Sequence, residues 1–302
     1  MGHSVDRIAC IGMATYDTIL LKQRISAEAE SVNVLDHYFE TVGGKGLIAA
    51  TALRYCSAQP VMLSMVAPES AISRTCATWL PSARLLPVLD HDHRTWITVN
   101  EKQETVTYVG LGKVWREVLG KYTDIVTSVL GSSDMVYLST EDIWLIGTVL
   151  RHIADNKLPL VTNLCRPLMQ TLESSQAIRG VVSRSTVLLM NERESDHALR
   201  TLDARNWASV VAPTLREVII TRGSEGGVYS ERPFDSWFSY RPVRPTQVKC
   251  IVGAGDTFNG AYVAQRFGNG YSMPRSCQGA AELVALKIAQ ESTSLVSIHR
   301  CF

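Results

Sequence analysis

Short apolar runs recur along the chain at intervals that leave room for a helix between most of them. Residues 7–13, 61–66, 135–138, 158–162, 186–190 and 217–221 read as strands. Residues 47–55 and 71–80 read as helices, and 275–290 as a last one rich in Ala and Leu. Strands alternating with helices build βαβ units, and these build a mostly parallel sheet with helices on its faces. The expected fold class is therefore α/β, of Rossmann-like construction. In such sheets ligands bind beyond the carboxyl ends of the strands. Asp17, just past the first run, is then placed to accept hydrogen bonds from substrate hydroxyls, or is simply a turn residue. One segment does not fit a simple βαβ series. Residues 95–100 and 105–109 are β-branched and alternating, and only four polar residues separate them, so they predict a hairpin. With residues 18–41, where Ile19-Leu20-Leu21 and Val32-Asn33-Val34-Leu35 look like short strands, they are expected to form a small separate sheet. Its strands fall within about 18–41 and 93–111, and Trp96 and Tyr108 are expected in its core or in contact with the substrate.

At 302 residues the chain could hold two domains or one large one. No repeat or low-complexity linker divides it, which favours a single unit over 1–302. Hydrophobic residues at 46% and charged residues at 20% are ordinary for a soluble globular protein. A net charge of +1 gives no electrostatic reason to expect nucleic acid or a membrane surface as partner. No apolar run is long enough to span a bilayer, and the first residues lack a signal-peptide core. Seven scattered cysteines, none spaced Cys-x-x-Cys, predict reduced thiols in a cytoplasmic protein. His91-Asp92-His93 has no further ligand spacing nearby and reads as a solvated turn rather than a metal site.

Two glycine turns carry the chemistry. Residues 247–252 read as a short strand, and a helix begins near Asp256. Between them Gly253 and Gly255 let the backbone turn tightly and aim its N–H groups at one spot. The helix N-terminus adds partial positive charge there, so the turn is a candidate anion hole. Asp256, in the first turn, is either a general base for a hydroxyl or a helix cap. Much earlier, Val42-Gly43-Gly44-Lys45-Gly46 opens the helix at 47–55. It is not a phosphate-binding P-loop, because the Gly-x-x-x-x-Gly-Lys-Ser/Thr spacing is absent.

The string Gly253-Ala254-Gly255-Asp256-Thr257-Phe258 resembles the C-terminal signature of the ribokinase/PfkB family of sugar and nucleoside kinases. Gly43-Gly44-Lys45-Gly46 resembles the N-terminal signature of the same family, in the same order along the chain. The resemblance implies a ribokinase fold with a β-sheet lid that often takes part in homodimer contact. It implies ATP and Mg2+, with Gly253, Ala254 and Gly255 holding the transferring phosphoryl group and Asp256 taking the acceptor's proton. Asp17, Gly43, Gly44 and Lys45 would bind the acceptor, and Glu141 lines up with an acidic residue that reaches it. Asn191-x-x-Glu194 resembles the motif that organises magnesium near the phosphates. An oxygen ligand such as Glu194, acting through water, suits that ion. Thr221, Gly223 and Gly226 match a Thr-x-Gly-x-x-Gly segment that meets the nucleotide, and Cys277, Ala280 and Ala281 would flank the adenine.

The chain departs from the pattern at two places. Ile48 stands where the family usually has an Asn that contacts substrate hydroxyls, so Ile48 is expected to face an acceptor pocket lacking one polar group. Cys250 and Ile251 replace the Asp-Thr that precedes the glycine turn in many members. In some of these the Asp helps hold an activating potassium ion, so little monovalent-cation activation is expected. The implied function is ATP-dependent phosphorylation of a primary hydroxyl on a sugar or sugar-like molecule such as a cyclitol. A nucleoside (adenosine-type) kinase is the alternative, with some support from Gln290-Glu291-Ser292-Thr293. A catalytically silent binding or regulatory member is the second. A dinucleotide oxidoreductase does not fit: Phe258 stands where Gly-x-Gly-x-x-Gly needs its third glycine, and too little chain follows for a second βαβ half.

Overall fold

The computed structural model describes residues 5–21, 37–100, 105–172 and 174–296. Its elements, in chain order, are β1 (Arg7–Gly12), β2 (Thr15–Leu21), β3 (His37–Gly43), α1 (Lys45–Tyr55), β4 (Gln59–Val66), α2 (Ala71–Trp79), β5 (Arg84–Pro87), β6 (Arg94–Val99) and β7 (Thr105–Gly110). There follow α3 (Trp115–Gly131), β8 (Met135–Ser139), α4 (Ile143–Asn156), β9 (Leu160–Asn163), α5 (Arg166–Leu172), α6 (Ser175–Val182), β10 (Val187–Asn191) and α7 (Glu192–Thr201). The last are β11 (Glu217–Thr221), β12 (Gly227–Glu231), β13 (Phe238–Tyr240), α8 (Ala254–Val263) and α9 (Met273–Ile288).

Nine strands form one sheet in the order β13-β12-β11-β10-β9-β8-β1-β4-β5. All its pairings are parallel except those of β12 with β11 and with β13. The central strands are apolar on both faces because both faces are covered. Successive side chains of a strand point to opposite sides, and the core divides accordingly. Ala9, Ile11, Val61, Leu63, Val136 and Leu138 pack towards α3, α4 and α6. Ile8, Cys10, Met62 and Tyr137 pack towards α1, α8 and α9. From β1 the chain steps outward to β4 and β5, then returns to the other side of β1 at β8. That reversal, between β1 and β8, is the place where α/β sheets bind ligands.

The second sheet has the order β3-β2-β6-β7. Its buried face carries Ile19, Ile97 and Val99, with Leu21, Phe39 and Val252 against them. Trp96 and Tyr108 are not in that core. They face each other across β6 and β7 on the outer side, 39% and 62% exposed. Alternation had separated two faces of the hairpin without saying which one meets the rest of the molecule. Asp17 is not in a turn either: it lies inside β2, on the buried face, opposite Thr95 of β6 and Thr41 of β3.

Two further expectations are corrected. Residues 247–252 form no strand; the N–H groups of Lys249 and Cys250 donate to the carbonyl of Ile288 at the end of α9, not to a neighbouring strand. His91-Asp92-His93 is not a solvated turn. His93 is 1% exposed, its Nδ1 accepts from the Gly112 N–H at 3.1 Å, and Asp92 accepts from the Ala67 N–H at 2.8 Å. The strand expected at 32–35 and the polar link at 101–104 lie outside the described residues. The six described cysteines are all free thiols. No helix among the described residues is long and apolar enough to cross a membrane.

Candidate active site

Helices α1 and α8 lie side by side. A Cβ built on Gly260 would come within 2.3 Å of the Ala49 carbonyl, and one on Gly253 within 2.8 Å of Ile48 Cδ1. Both helices start from glycine N-caps, Gly44 and Gly253, without a side-chain cap. Gly253 has φ +81°, in the left-handed region that favours glycine. A side chain there would also strike the Thr293 carbonyl at 2.4 Å. The Ala254 N–H donates to the Ile251 carbonyl at 3.0 Å, so it is already engaged and does not join an anion hole. Helix geometry leaves the N–H groups of Gly255 and Asp256 without an intrahelical acceptor. Asp256 is partly exposed and Gly255 is exposed.

The first residue of α1, Lys45, brings an ammonium to the same place. Its Nζ pairs with Glu141 Oε1 at 2.5 Å and donates to Cys165 Sγ at 3.2 Å. Burial disfavours its charge, but Cys165, Glu141 and Asp256 together hold it above the ordinary lysine range. Asn163, the last residue of β9, donates from Nδ2 to Ser139 Oγ at 3.0 Å and to Asp256 Oδ1 at 3.3 Å. Desolvation pushes the Asp256 carboxyl up to about 6, against the pull of Lys45 and with the help of Glu194 and Glu141.

Glu194 closes a capping box at the start of α7. Its Oε2 accepts from the Asn191 N–H at 2.8 Å, and Asn191 Oδ1 accepts from the Glu194 N–H at 2.9 Å. Its Oε1 accepts from the Arg166 N–H at 3.1 Å. Each carboxylate oxygen retains a second lone pair for a water, so a role at second remove from a cation is open to it. Among the described residues no three His, Cys, Asp or Glu side chains gather to hold a metal by themselves.

A second group adjoins the first. Asp17 is 2% exposed, and burial raises its carboxyl to about 6 although Thr15, Thr293, Thr95 and the Gly44 N–H all donate to it. A Cβ on Gly43 would meet Asp17 Oδ2 at 2.0 Å and Thr293 Oγ1 at 2.4 Å. Residues 292–294 are buried across this corner, with Ser294 Oγ donating to the Val42 carbonyl at 3.1 Å.

Lys45, Glu141, Glu194, Gly253, Gly255 and Asp256 thus share one electrostatic neighbourhood, with Asp17, Gly43 and Gly44 beside it. Thr221 ends β11, and Gly223 and Gly226 flank the turn into β12; Arg222 ties that turn to Glu192 of α7 at 2.9 Å. Besides Ala254, whose N–H is already engaged, three expected site residues do not hold. Ile48 is 3% exposed and packed against the glycine turn, because α1 lies flush on α8 there. Cys277 and Ala280 are wholly buried in the core beneath α9, so they present nothing to an adenine. Sequence reasoning did not single out Asn163 as a site residue, although its place at a strand's carboxyl end was a usable signal. Cys165 and Lys287 gave no signal, since only the folded chain brings them here, and Thr293 stood out only within Gln290-Glu291-Ser292-Thr293.

The architecture is that of the ribokinase-fold kinases. More narrowly, the chain belongs to the pfkB family of carbohydrate kinases, whose family model matches residues 5–300. It is similar in structure to a Burkholderia thailandensis nucleoside kinase in complex with inosine: TM-score 0.78, 18% identity, 95% of this chain and 92% of that one covered. It is also similar to a Giardia lamblia ribokinase, at TM-score 0.75 and 16% identity over 97% and 96% of the two chains. An Arabidopsis thaliana ribokinase complexed with ribose and ATP aligns at TM-score 0.67 and 15% identity, over 96% and 94%. No curated protein sequence matches at a significant level.

Proposed function

We propose that this protein transfers the terminal phosphoryl group of ATP to a primary hydroxyl of a small sugar-type acceptor. The observation that carries this is Asp256, a carboxylate on the first turn of α8, set beside uncapped N–H groups and the Lys45 ammonium at the reversal between β1 and β8. Asp256 takes the proton of the acceptor hydroxyl as that oxygen bonds to phosphorus and the bond to the nucleotide diphosphate breaks. Asn163 holds Oδ1 of Asp256, which leaves Oδ2 for the proton. The N–H groups of Gly255 and Asp256, with the dipole of α8, face the charge that grows on the phosphoryl oxygens. Lys45, anchored by Glu141, adds a fixed positive charge.

Three carboxylates, Asp256, Glu141 and Glu194, act on this place against the ammonium groups of Lys45 and the buried Lys287, so a polyphosphate needs an added cation. Mg2+ would arrive with the nucleotide, with Glu194 reaching its waters, and would supply charge neutralisation. Asp17 and the Gly43-Gly44 turn form the acceptor side, the turn at Thr221, Gly223 and Gly226 the nucleotide side, and the second sheet a lid that keeps water out.

A nucleoside acceptor is the second candidate, favoured by the inosine held by the Burkholderia kinase. The test is magnesium-dependent ADP release over a panel of pentoses, hexoses, deoxy sugars, cyclitols and nucleosides. Turnover with one sugar class supports the proposal. Turnover with nucleosides alone moves the acceptor, and nucleotide binding without turnover on any of them makes the protein a binding module.

A further inference from the structure

Lys287, in the last turn of α9, is completely buried. A lysine occupies such a position only where partners hold its charge. Here the partners are main-chain carbonyls: Nζ donates to Cys250 O at 3.1 Å and to Val252 O. Those two carbonyls bracket Ile251 in the segment that runs directly into Gly253. The same segment is fastened to the end of α9 by the bonds from Lys249 and Cys250 N–H to Ile288 O, at 2.8 and 3.1 Å. On the far side of the turn, the Thr293 carbonyl stands where a side chain on Gly253 would be. The glycine turn therefore rests on an ammonium below and a carbonyl beside it. Burial draws the Lys287 ammonium down to about 8, while Cys250, Asp256 and Asp17 hold it up. In turn its charge lowers the Asp256 carboxyl.

A neutral side chain of similar length would fill this space without the cost of burying a charge. What only the ammonium supplies is positive potential under the turn and a fixed aim for the carbonyls that lead into it. Carbonyl oxygens facing inward are also the ligands that replace the water shell of a potassium ion. We propose that Lys287 is a tethered cation. It occupies a carbonyl site of the kind that takes a free monovalent ion, and positions the anion-binding turn for catalysis. The proposal rests on the phosphoryl-transfer function given above. It also supplies a physical ground for weak potassium dependence that the missing Asp at position 250 does not: the positive charge is already present.

The experiment compares the full-length wild type with Lys287→Met and Lys287→Ala in sodium, potassium and ammonium chloride at constant ionic strength. Wild-type turnover should be indifferent to the cation. Lys287→Met should fold, keep KM for ATP within a few-fold, and lose about 100-fold in kcat, the size of losing one oxyanion-hole contact. Lys287→Ala should show the same loss in sodium and recover about tenfold, saturably, in ammonium or potassium as the free ion enters the vacated site. Independently of turnover, the melting temperature of Lys287→Ala should rise with potassium or ammonium but not with tetramethylammonium, and that of the wild type should not. Wild-type kcat in Lys287→Met, or a Lys287→Ala protein unmoved by every cation in both rate and melting, overturns the proposal. Should Lys287→Ala fail to fold, Lys287→Met decides through the kcat-against-KM split. A wild type inactive on every acceptor removes phosphoryl transfer as the function, and the melting measurement then decides the cation site alone.

Discussion

Asp256 must be ionised to take a proton, yet desolvation and two neighbouring carboxylates push its acid form up to about pH 6. The rate kcat/KM should therefore fall with unit slope as pH drops below about 6, and a profile flat to pH 5 would remove Asp256 from the role of base. Asp256→Asn should fold normally and lose about two to four decades of turnover, the range of a general-base contribution. Asp17 makes a different prediction because it is fully buried. Its folded form, with the carboxyl raised to about 6, binds more protons than the unfolded chain between pH 4 and 6. The stability it contributes is thus complete below about pH 4 and is lost as pH rises through 6. Urea denaturation should show wild type losing stability relative to Asp17→Asn over that window, by up to about 3 kcal/mol. A constant difference from pH 4 to 7 would refute the shift. Asp17 and Asp256 could be picked out from the sequence because each follows a strand or a glycine turn. Lys287 could not, because its partners are carbonyl oxygens, which every residue has.

The two helices that begin at the site are held together by small residues. Gly260 on α8 faces Ala49 and Ala52 on α1 so closely that a Cβ would lie 2.3 Å from a carbonyl oxygen and 2.9 Å from a methyl carbon. Gly260→Ala should cost about 1–3 kcal/mol, as overpacking does. It should also depress kcat, since separating the helices moves Lys45 from Asp256; unchanged melting and turnover together would show that the contact can relax. The strands of the large sheet were legible because burial on both faces leaves a continuous apolar signature. The hairpin of β6 and β7 was legible by its alternation and short link. Residues 247–252 carry a similar apolar signal and still form no strand, because their partner is the end of a helix. Local pattern records that a segment is covered, not by what. Ile48, Cys277 and Ala280 were misplaced for the same reason: a motif position gives neighbourhood along the chain but not which side of a helix the packing closes.

The two sheets set the plan of the molecule, and the smaller one leaves an unusual surface. On its outer side Tyr38, Trp96, Val106 and Tyr108 stand exposed, a concentration of aromatic area typical of interface cores. If two copies pair there, light scattering should find the wild type dimeric and Tyr108→Glu monomeric; a monomeric wild type would end the idea. The sheet order has a consequence for the making of the protein. β1 is made well before its neighbour β8 and the site residues from Glu141 onward. Roughly 240 residues separate Lys45 from Lys287, so at cellular translation rates about 10–50 s pass between them. During that interval Lys45 waits for Glu141, Asn163, Glu194 and the glycine turn at 253–256, which are made in that order. The site is therefore completed only after α9 is made and packs against α8.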